Sequence, residues 1–303
     1  MPFSWIWGSG TPLHVSSFKD YVDDGTVDLS TSPGWPLSEI FKTKADLFAH
    51  PDAYVLLAGD VVGSSNYIWN GFLKSEIIRA NKNARHICGC DTRLLYHALP
   101  LVHDFNKAME RKGIGSPFWL GADLSGADWQ HFIETFKDCK YLLCTDIAGC
   151  DTNFASRLFQ MILHVRKQFL PSGLHTTISD VYNAIINKLI LEPDGIVFGV
   201  PVGNPTGQPN TTQDNSMAMY LQIMSFLLQR FTLAELDEKL RMAIYGDDAV
   251  IGFVDDPGFQ PPELRSWVAS CGMTMKSSDT WLSFNEIDFL SRQPRLHKGY
   301  YYP

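Results

Sequence analysis

The sequence predicts an α+β fold, and three observations carry that expectation. Apolar residues recur at helical spacing over residues 94–112, 155–170, 178–191 and from 210 onward. A short apolar run over 141–145 reads as a strand, and two more, 242–245 and 249–254, are joined through Gly246-Asp247-Asp248 at the spacing of a β-hairpin. The 303 residues, 45% of them apolar, suffice for one large domain or two ordinary ones. With 19% charged residues and 25 Lys and Arg against 33 Asp and Glu, intrinsic disorder is excluded. No repeat, low-complexity tract or long Gly/Ser linker divides the chain, so one compact unit with insertions is expected.

The first 70 residues are rich in turn formers, above all Thr31-Ser32-Pro33-Gly34-Trp35-Pro36, and are expected to be mostly loops. The 94–112 helix ends at Gly113, which suits the position just past a helix C-terminus. The 141–145 strand enters Asp146, and the 155–170 helix then carries Leu158, Met161, Ile162, Val165 and Phe169 on one face. A second helix fits 178–191, with Val181, Ile185, Ile186 and Leu189 aligned, and stops before the turn Pro193-Asp194-Gly195. Residues 200–209 are too dense in Gly and Pro for a helix. Asn210 with Gln213 three residues on resembles a capping box, so a helix starts there. Its stripe of Met217, Tyr220, Leu221, Met224, Leu227, Leu228 and Phe231 reads as ordinary core. Pro261 and Pro262 suit a helix start and Gly272 its end, and a last strand is expected over 287–290.

Several function classes fall away. A membrane span needs roughly 20 mostly apolar residues, and the longest such tract, 217–231, is broken by Gln222, Ser225, Gln229 and Arg230. The start carries Trp5 and Trp7 but no basic segment followed by an apolar one, so no secretory leader is expected and a reducing cytosol is the default. Six cysteines, with Cys88 and Cys90 the one close pair, make neither a disulfide scaffold nor a zinc site. A net charge of −8 argues against indiscriminate coating by nucleic acid, so any polyanion contact must be local. One locality stands out: Lys74, Arg79, Lys82, Arg85 and Arg93 face only Glu76 and Asp91.

Adjacent aspartates at a tight turn repel each other and cost stability unless a cation neutralises them. A hard divalent ion such as Mg²⁺ takes a few carboxylate oxygens and keeps positions for water and phosphate, which points to phosphate chemistry. Asp-Asp pairs also occur on plain surface, as Asp23-Asp24 and Asp255-Asp256 do here. What singles out Asp247 and Asp248 is a second acidic pair, Asp146 and Asp151, placed where a strand ends and a helix begins. If the 141–145 strand lies beside the hairpin, Asp146, Asp247 and Asp248 converge and hold two metals roughly 3.5–4 Å apart. Asp151 would sit farther off, with a different task.

These residues carry a resemblance. Asp146 with Asp151, then Gly203-Asn204-Pro205-Thr206-Gly207-Gln208-Pro209-Asn210-Thr211-Thr212-Gln213-Asp214-Asn215, then Tyr245-Gly246-Asp247-Asp248, resemble in order motifs A, B and C of RNA-dependent RNA polymerases of positive-strand RNA viruses. The second string is similar to the potyvirus and astrovirus pattern, and the neighbourhood of Ala148-Gly149-Cys150-Asp151 to picornaviruses. Ser32, Gly34 and Pro36 resemble the template-guiding motif G, and Lys74, Glu76, Arg79, Lys82 and Arg85 the basic motif F. Gly272-Met273-Thr274-Met275-Lys276 resembles motif D and Phe289-Leu290-Ser291-Arg292 the primer-gripping motif E.

The resemblance implies a right-hand polymerase, its palm an antiparallel sheet backed by helices. Residues 1–140 would be fingers, with the template-guiding and NTP-channel motifs, and 141–303 mainly palm, with fingers residues inserted around 171–200 and no thumb recognised. It implies RNA synthesis directed by a template: attack of an RNA 3′-oxygen on the α-phosphate of an NTP, with pyrophosphate leaving. Asp146, Asp247 and Asp248 would ligate two Mg²⁺ ions, Mn²⁺ being the alternative. Lys74, Lys82 and Arg85 would hold the triphosphate; Asp151 and Asn215, with Thr206 or Thr211, would recognise the ribose 2′-hydroxyl. Ser32, Gly34, Pro36, Gly207 and Arg292 would meet template and primer. Lys276 would be the general acid, since Thr280 stands where the picornavirus-type pattern has its lysine. RNA template and product, NTPs and other viral replication proteins are the implied partners, and a replication complex in the host cytoplasm the implied place. Two alternatives use the same residues: a metal-dependent phosphohydrolase, and a polymerase core that only binds RNA and NTPs.

Overall fold

Short apolar runs become strands only where a partner strand accepts them, and that rule decides most of this architecture. The computed structural model describes residues 15–59, 63, 67–77, 84–112, 115–298 and 300–303. The chain is a mixture of helices and mainly antiparallel sheets, divided into two compact units where composition suggested one: Met1–Phe105 with Phe159–Thr211, and Asn106–Leu158 with Thr212–Pro303.

The second unit is built on a four-stranded antiparallel sheet in the order Leu240–Tyr245, Asp248–Phe253, Tyr141–Ile147, Met275–Ser277. The expected hairpin forms, with Tyr245 opposite Asp248 and Gly246 at φ 64°, a backbone angle suited to glycine in a two-residue turn. The 141–147 strand lies beside it, and its register sets Asp146 opposite Asp248 on one side and opposite Lys276 on the other. Under the sheet lies an aromatic core absent from the sequence expectation. The helix Asp128–Phe136 buries Trp129, Phe132, Ile133 and Phe136, and Phe132 stacks on Phe289 with ring centroids 5.5 Å apart. Each such ring buried contributes about 1.5–3 kcal/mol.

The first unit holds a sheet in the order His86–Gly89, Ile68–Leu73, Lys188–Leu191, Val197–Val200. The helix expected to run to residue 191 stops at Ile186, and Lys188–Leu191 is a strand. It pairs in parallel with Ile68–Asn70 and antiparallel with Val197–Val200, across the turn that Pro193-Asp194-Gly195 had marked. Four apolar residues cannot declare their period alone; the sheet on both sides claimed them. The region expected to be loops contains short helices, Phe18–Asp23, Lys44–Phe48 and Ala53–Ala58, the first two opened by capping boxes at Ser17 and Thr43. They exist because Phe18, Tyr21, Leu47 and Leu57 bury together with Leu99.

The helices Thr92–Lys112, Ser156–Lys167 and Thr211–Leu227 form near the expected bounds, as does Pro261–Ser270. Met217, Tyr220, Met224 and Leu227 are buried as core, whereas Leu228 lies past the helix end and is exposed. No strand forms over 287–290. A 3-10 turn, Phe284–Glu286, is followed by an isolated Phe289–Arg292 bridge, whose turn residues Leu290 and Ser291 have φ of 52° and 61°. A hairpin of Arg295–His297 with Tyr300–Tyr302 was not foreseen. Among the described residues no helix is long and apolar enough to cross a membrane.

Candidate active site

An open pocket of about 900 Å³ in the second unit is lined by Asp146, Asp247, Asp248, Lys276 and Asn215. Strand register brings the first four together, since Asp146 faces both Asp248 and Lys276, and Asp247 is in the hairpin turn. Asn215 reaches it from the first turns of the Thr211–Leu227 helix. Lys276 Nζ donates to Asp146 Oδ2 at 2.9 Å. The Leu290 amide donates to Asp248 Oδ2 at 2.8 Å.

The pocket is strongly acidic, with Asp288 lining it as well. Burial pushes the Asp248 carboxyl up to about 6 against the Leu290 hydrogen bond, and the charges of Asp146, Asp288 and Asp247 push the same way. Such crowding of hard oxygen donors suits a divalent cation. Yet no three of His, Cys, Asp and Glu among the described residues converge as a ready-made ion cage. The convergence expected from sequence is therefore a shared pocket, in which Lys276 and the Leu290 amide already engage two of the three carboxylates.

Sequence reasoning missed what steadies this pocket. Ser216, fully buried, accepts the Gly246 amide at 2.8 Å and donates to the Thr212 carbonyl, tying the hairpin tip to the long helix. Thr212, Asp288, Leu290 and Ser291 also line the pocket. A small hydroxyl following Asn215 on the helix was the one available signal for Ser216.

The remaining expected residues fall elsewhere. Asp151 lies in the short helix Cys150–Asn153. Thr206 and Thr211 belong to the first unit, and their hydroxyls serve the 203–211 loop: Thr206 Oγ1 accepts the Cys88 amide at 3.0 Å, and Thr211 Oγ1 donates to the Pro205 carbonyl at 2.9 Å. Gly207 packs so closely that a Cβ there would lie 2.3 Å from the Cys88 carbonyl oxygen. Buried Lys188 donates to the carbonyls of Val202 and Gly203, and the Asn204 amide to the Thr211 carbonyl. Arg85 grips Glu76 with two hydrogen bonds, 2.7 and 2.5 Å, and Lys74 lies 3.6 Å from the same carboxylate. The Arg85 hydrogen bond above all holds the Glu76 carboxyl down at about 2. Lys82 and Arg79 lie outside the described residues. Ser32 Oγ accepts the Gly34 amide, Gly34 abuts Asp91, and the Trp35–Pro36 peptide is cis. Arg292 donates to Ser125 Oγ at 2.6 Å.

Comparison with known proteins gives a consistent picture. A profile of the family described as viral RNA-dependent RNA polymerase matches residues 12–303. The genome polyprotein of Brome streak virus (strain 11-Cal) is 22% identical over 260 residues, covering 83% of this chain. Genome polyprotein 1 of Barley yellow mosaic virus (isolate Germany) is 29% identical over 220 residues, covering 68%. The chain spans 8% and 9% of the length of those polyproteins. A solved Sicinivirus 3Dpol RNA dependent RNA polymerase superposes with a TM-score of 0.81 at 19% identity, covering all of this chain and 68% of that one.

Proposed function

The chain belongs to the viral RNA-dependent RNA polymerase family, and from that premise we propose that it carries out template-directed RNA synthesis, joining NTPs to an RNA 3′-hydroxyl in the replication of a viral RNA genome. The observation that carries the proposal is the strand register that gathers Asp146, Asp247, Asp248 and Lys276 in one open pocket. Asp146 and Asp247, assisted by Asp248, would hold Mg²⁺, or Mn²⁺ in its place. Two such ions supply charge stabilisation and activation of the attacking oxygen.

The chain's own groups do the rest. Lys276 brings an ammonium into the pocket and is the candidate to protonate the departing pyrophosphate. Asn215 presents an amide to the ribose 2′-hydroxyl, with Asp151 as its partner in that recognition. Arg85 and Lys74 exchange Glu76 for triphosphate oxygens, which an arginine fork engages in pairs. The unit bearing the acidic sheet is read as the palm and the unit bearing Lys74 and Arg85 as fingers. RNA, NTPs and other viral replication proteins are the partners on this reading, and the host cytoplasm the setting.

Primer extension on an RNA template with Mg²⁺ tests the proposal. Incorporation that is lost in Asp247→Ala supports it; a chain that hydrolyses NTPs without extending primer refutes it. Asp151→Ala is expected to lower the preference for ribo- over deoxyribonucleotides, measured as the ratio of their kcat/KM values. An unchanged ratio removes Asp151 from sugar recognition.

A further inference from the structure

Four side chains without a task in that reaction gather on one face of the first unit's sheet. His86 and Cys88 alternate on their strand and so share a face. His86 Nε2 lies 2.8 Å from Glu192 Oε1, and His86 Nδ1 lies 3.7 Å from Cys88 Sγ. The His86–Glu192 bridge crosses the intervening strand at Gly71, where a Cβ would fall 2.5 Å from the Glu192 oxygen and 2.8 Å from the His86 nitrogen. Only a residue without a side chain leaves room for it.

An ionised carboxylate accepts hydrogen bonds and donates none, so Glu192 keeps the ring proton on Nε2. The Nδ1 lone pair then faces the Cys88 sulfur, the arrangement in which an imidazole takes a thiol proton. Buried Lys188 shares that sheet face and interacts electrostatically with Cys88. Burial pushes the thiols of Cys139 and Cys144 up to about 11 and about 12.

We propose that Cys88 is a nucleophilic thiol, activated through His86 and Glu192, that takes small soft carbon electrophiles. With a haloacetamide, Sγ attacks the carbon bearing the halogen, the S–C bond forms, halide leaves with its electron pair, and the thiol proton passes to His86 Nδ1. Cys88 is 7% exposed, which limits the class to small reagents. An adduct would also reach the 203–211 loop, because the Cys88 amide holds Thr206 and the Cys88 carbonyl packs on Gly207. That consequence rests on the proposed polymerase reading; the reactivity of the thiol does not.

The test treats the full chain with limiting iodoacetamide and follows each cysteine by peptide mass spectrometry. Cys88 is expected to label about tenfold faster than Cys139 and Cys144, and His86→Asn to erase that advantage. Glu192→Gln, which keeps the side chain's size, and Gly71→Ala, which forces the bridge apart, should each slow Cys88 and leave Cys139 unchanged. Thermal melts identify any variant that fails to fold, and Glu192→Gln keeps the question answerable if Gly71→Ala does. Cys88 labelling no faster than Cys139, or at an unchanged rate in both His86→Asn and Glu192→Gln, overturns the proposal. Loss of primer extension on labelling, escaped by Cys88→Ser, supports the link to the loop, and labelled chain at full activity refutes that link. A chain inactive before labelling counts against the polymerase reading alone.

Discussion

The acidic pocket and the 203–211 loop spend their polar groups in opposite ways. In the pocket Asp146, Asp247, Asp248 and Asp288 crowd together, and burial and mutual repulsion raise the Asp248 carboxyl to about 6. In the loop the hydroxyls of Thr206 and Thr211, the amide of Asn204 and the ammonium of Lys188 are all committed to neighbouring backbone. The pocket thus holds charge in reserve at a cost in stability, while the loop uses polarity to fix a shape. The difference lies in net charge: the pocket gathers four carboxylates around one ammonium, whereas the loop's polar groups are bonded to backbone.

Four substitutions break or sharpen that contrast, in descending order of effect. Asp247→Ala should lower incorporation at least about 100-fold, the scale of losing a charge-stabilising group. A melting temperature that falls together with incorporation would make Asp247 architectural. Gly207→Ala places a methyl against the Cys88 carbonyl and should destabilise by about 1–3 kcal/mol in denaturant titration. Unchanged stability would mean that the loop is free to move.

Lys188→Met removes the donors to Val202 and Gly203 and should cost less, because a buried charge goes with them. Burial lowers the Lys188 ammonium from 10.5 to about 8. A depressed folded-state value means that the stability tied to this group is fully present above 10.5 and is lost as pH falls through 8. Melting of wild type relative to Lys188→Met should therefore shift in favour of wild type between pH 8 and 10.5; a flat difference would refute the burial of the charge. Ser291→Gly relaxes a left-handed backbone angle and should stabilise by about 0.5–1 kcal/mol, with loss of stability as the contrary result.

Three strands of the sheet that carries the carboxylates were legible because they are apolar runs with a turn signal between two of them; its fourth, Met275–Ser277, was not, being three residues long and paired, among the described residues, only with the 141–147 strand. The Lys188–Leu191 strand was not, since Leu189 continues the helical stripe of Val181 and Ile185 until the sheet claims it. The Asp128–Phe136 helix went unseen although its rings recur at helical spacing, and its partners Ile287 and Phe289 lie far along the chain. Of the pocket lining, Asp288 was not foreseen, whereas Asp146, Asp247 and Asp248 could be read from order and spacing, and Asn215 and Lys276 from the motif resemblance. Ser216 could not, because its role is a single bond to the Gly246 amide that only the folded hairpin creates. The reach of Thr206 and Thr211 into the loop, with Thr212 lining the pocket, was equally beyond spacing: one residue along a helix turns a side chain by about 100°.

The ion pair between Lys276 and Asp146 gives this pocket an internal counter-charge. An ammonium carries three donors, so the one bonded to Asp146 leaves others to face the pocket. Without Lys276, Asp146, Asp247, Asp248 and Asp288 would face one another with no basic side chain among the described residues that line the pocket.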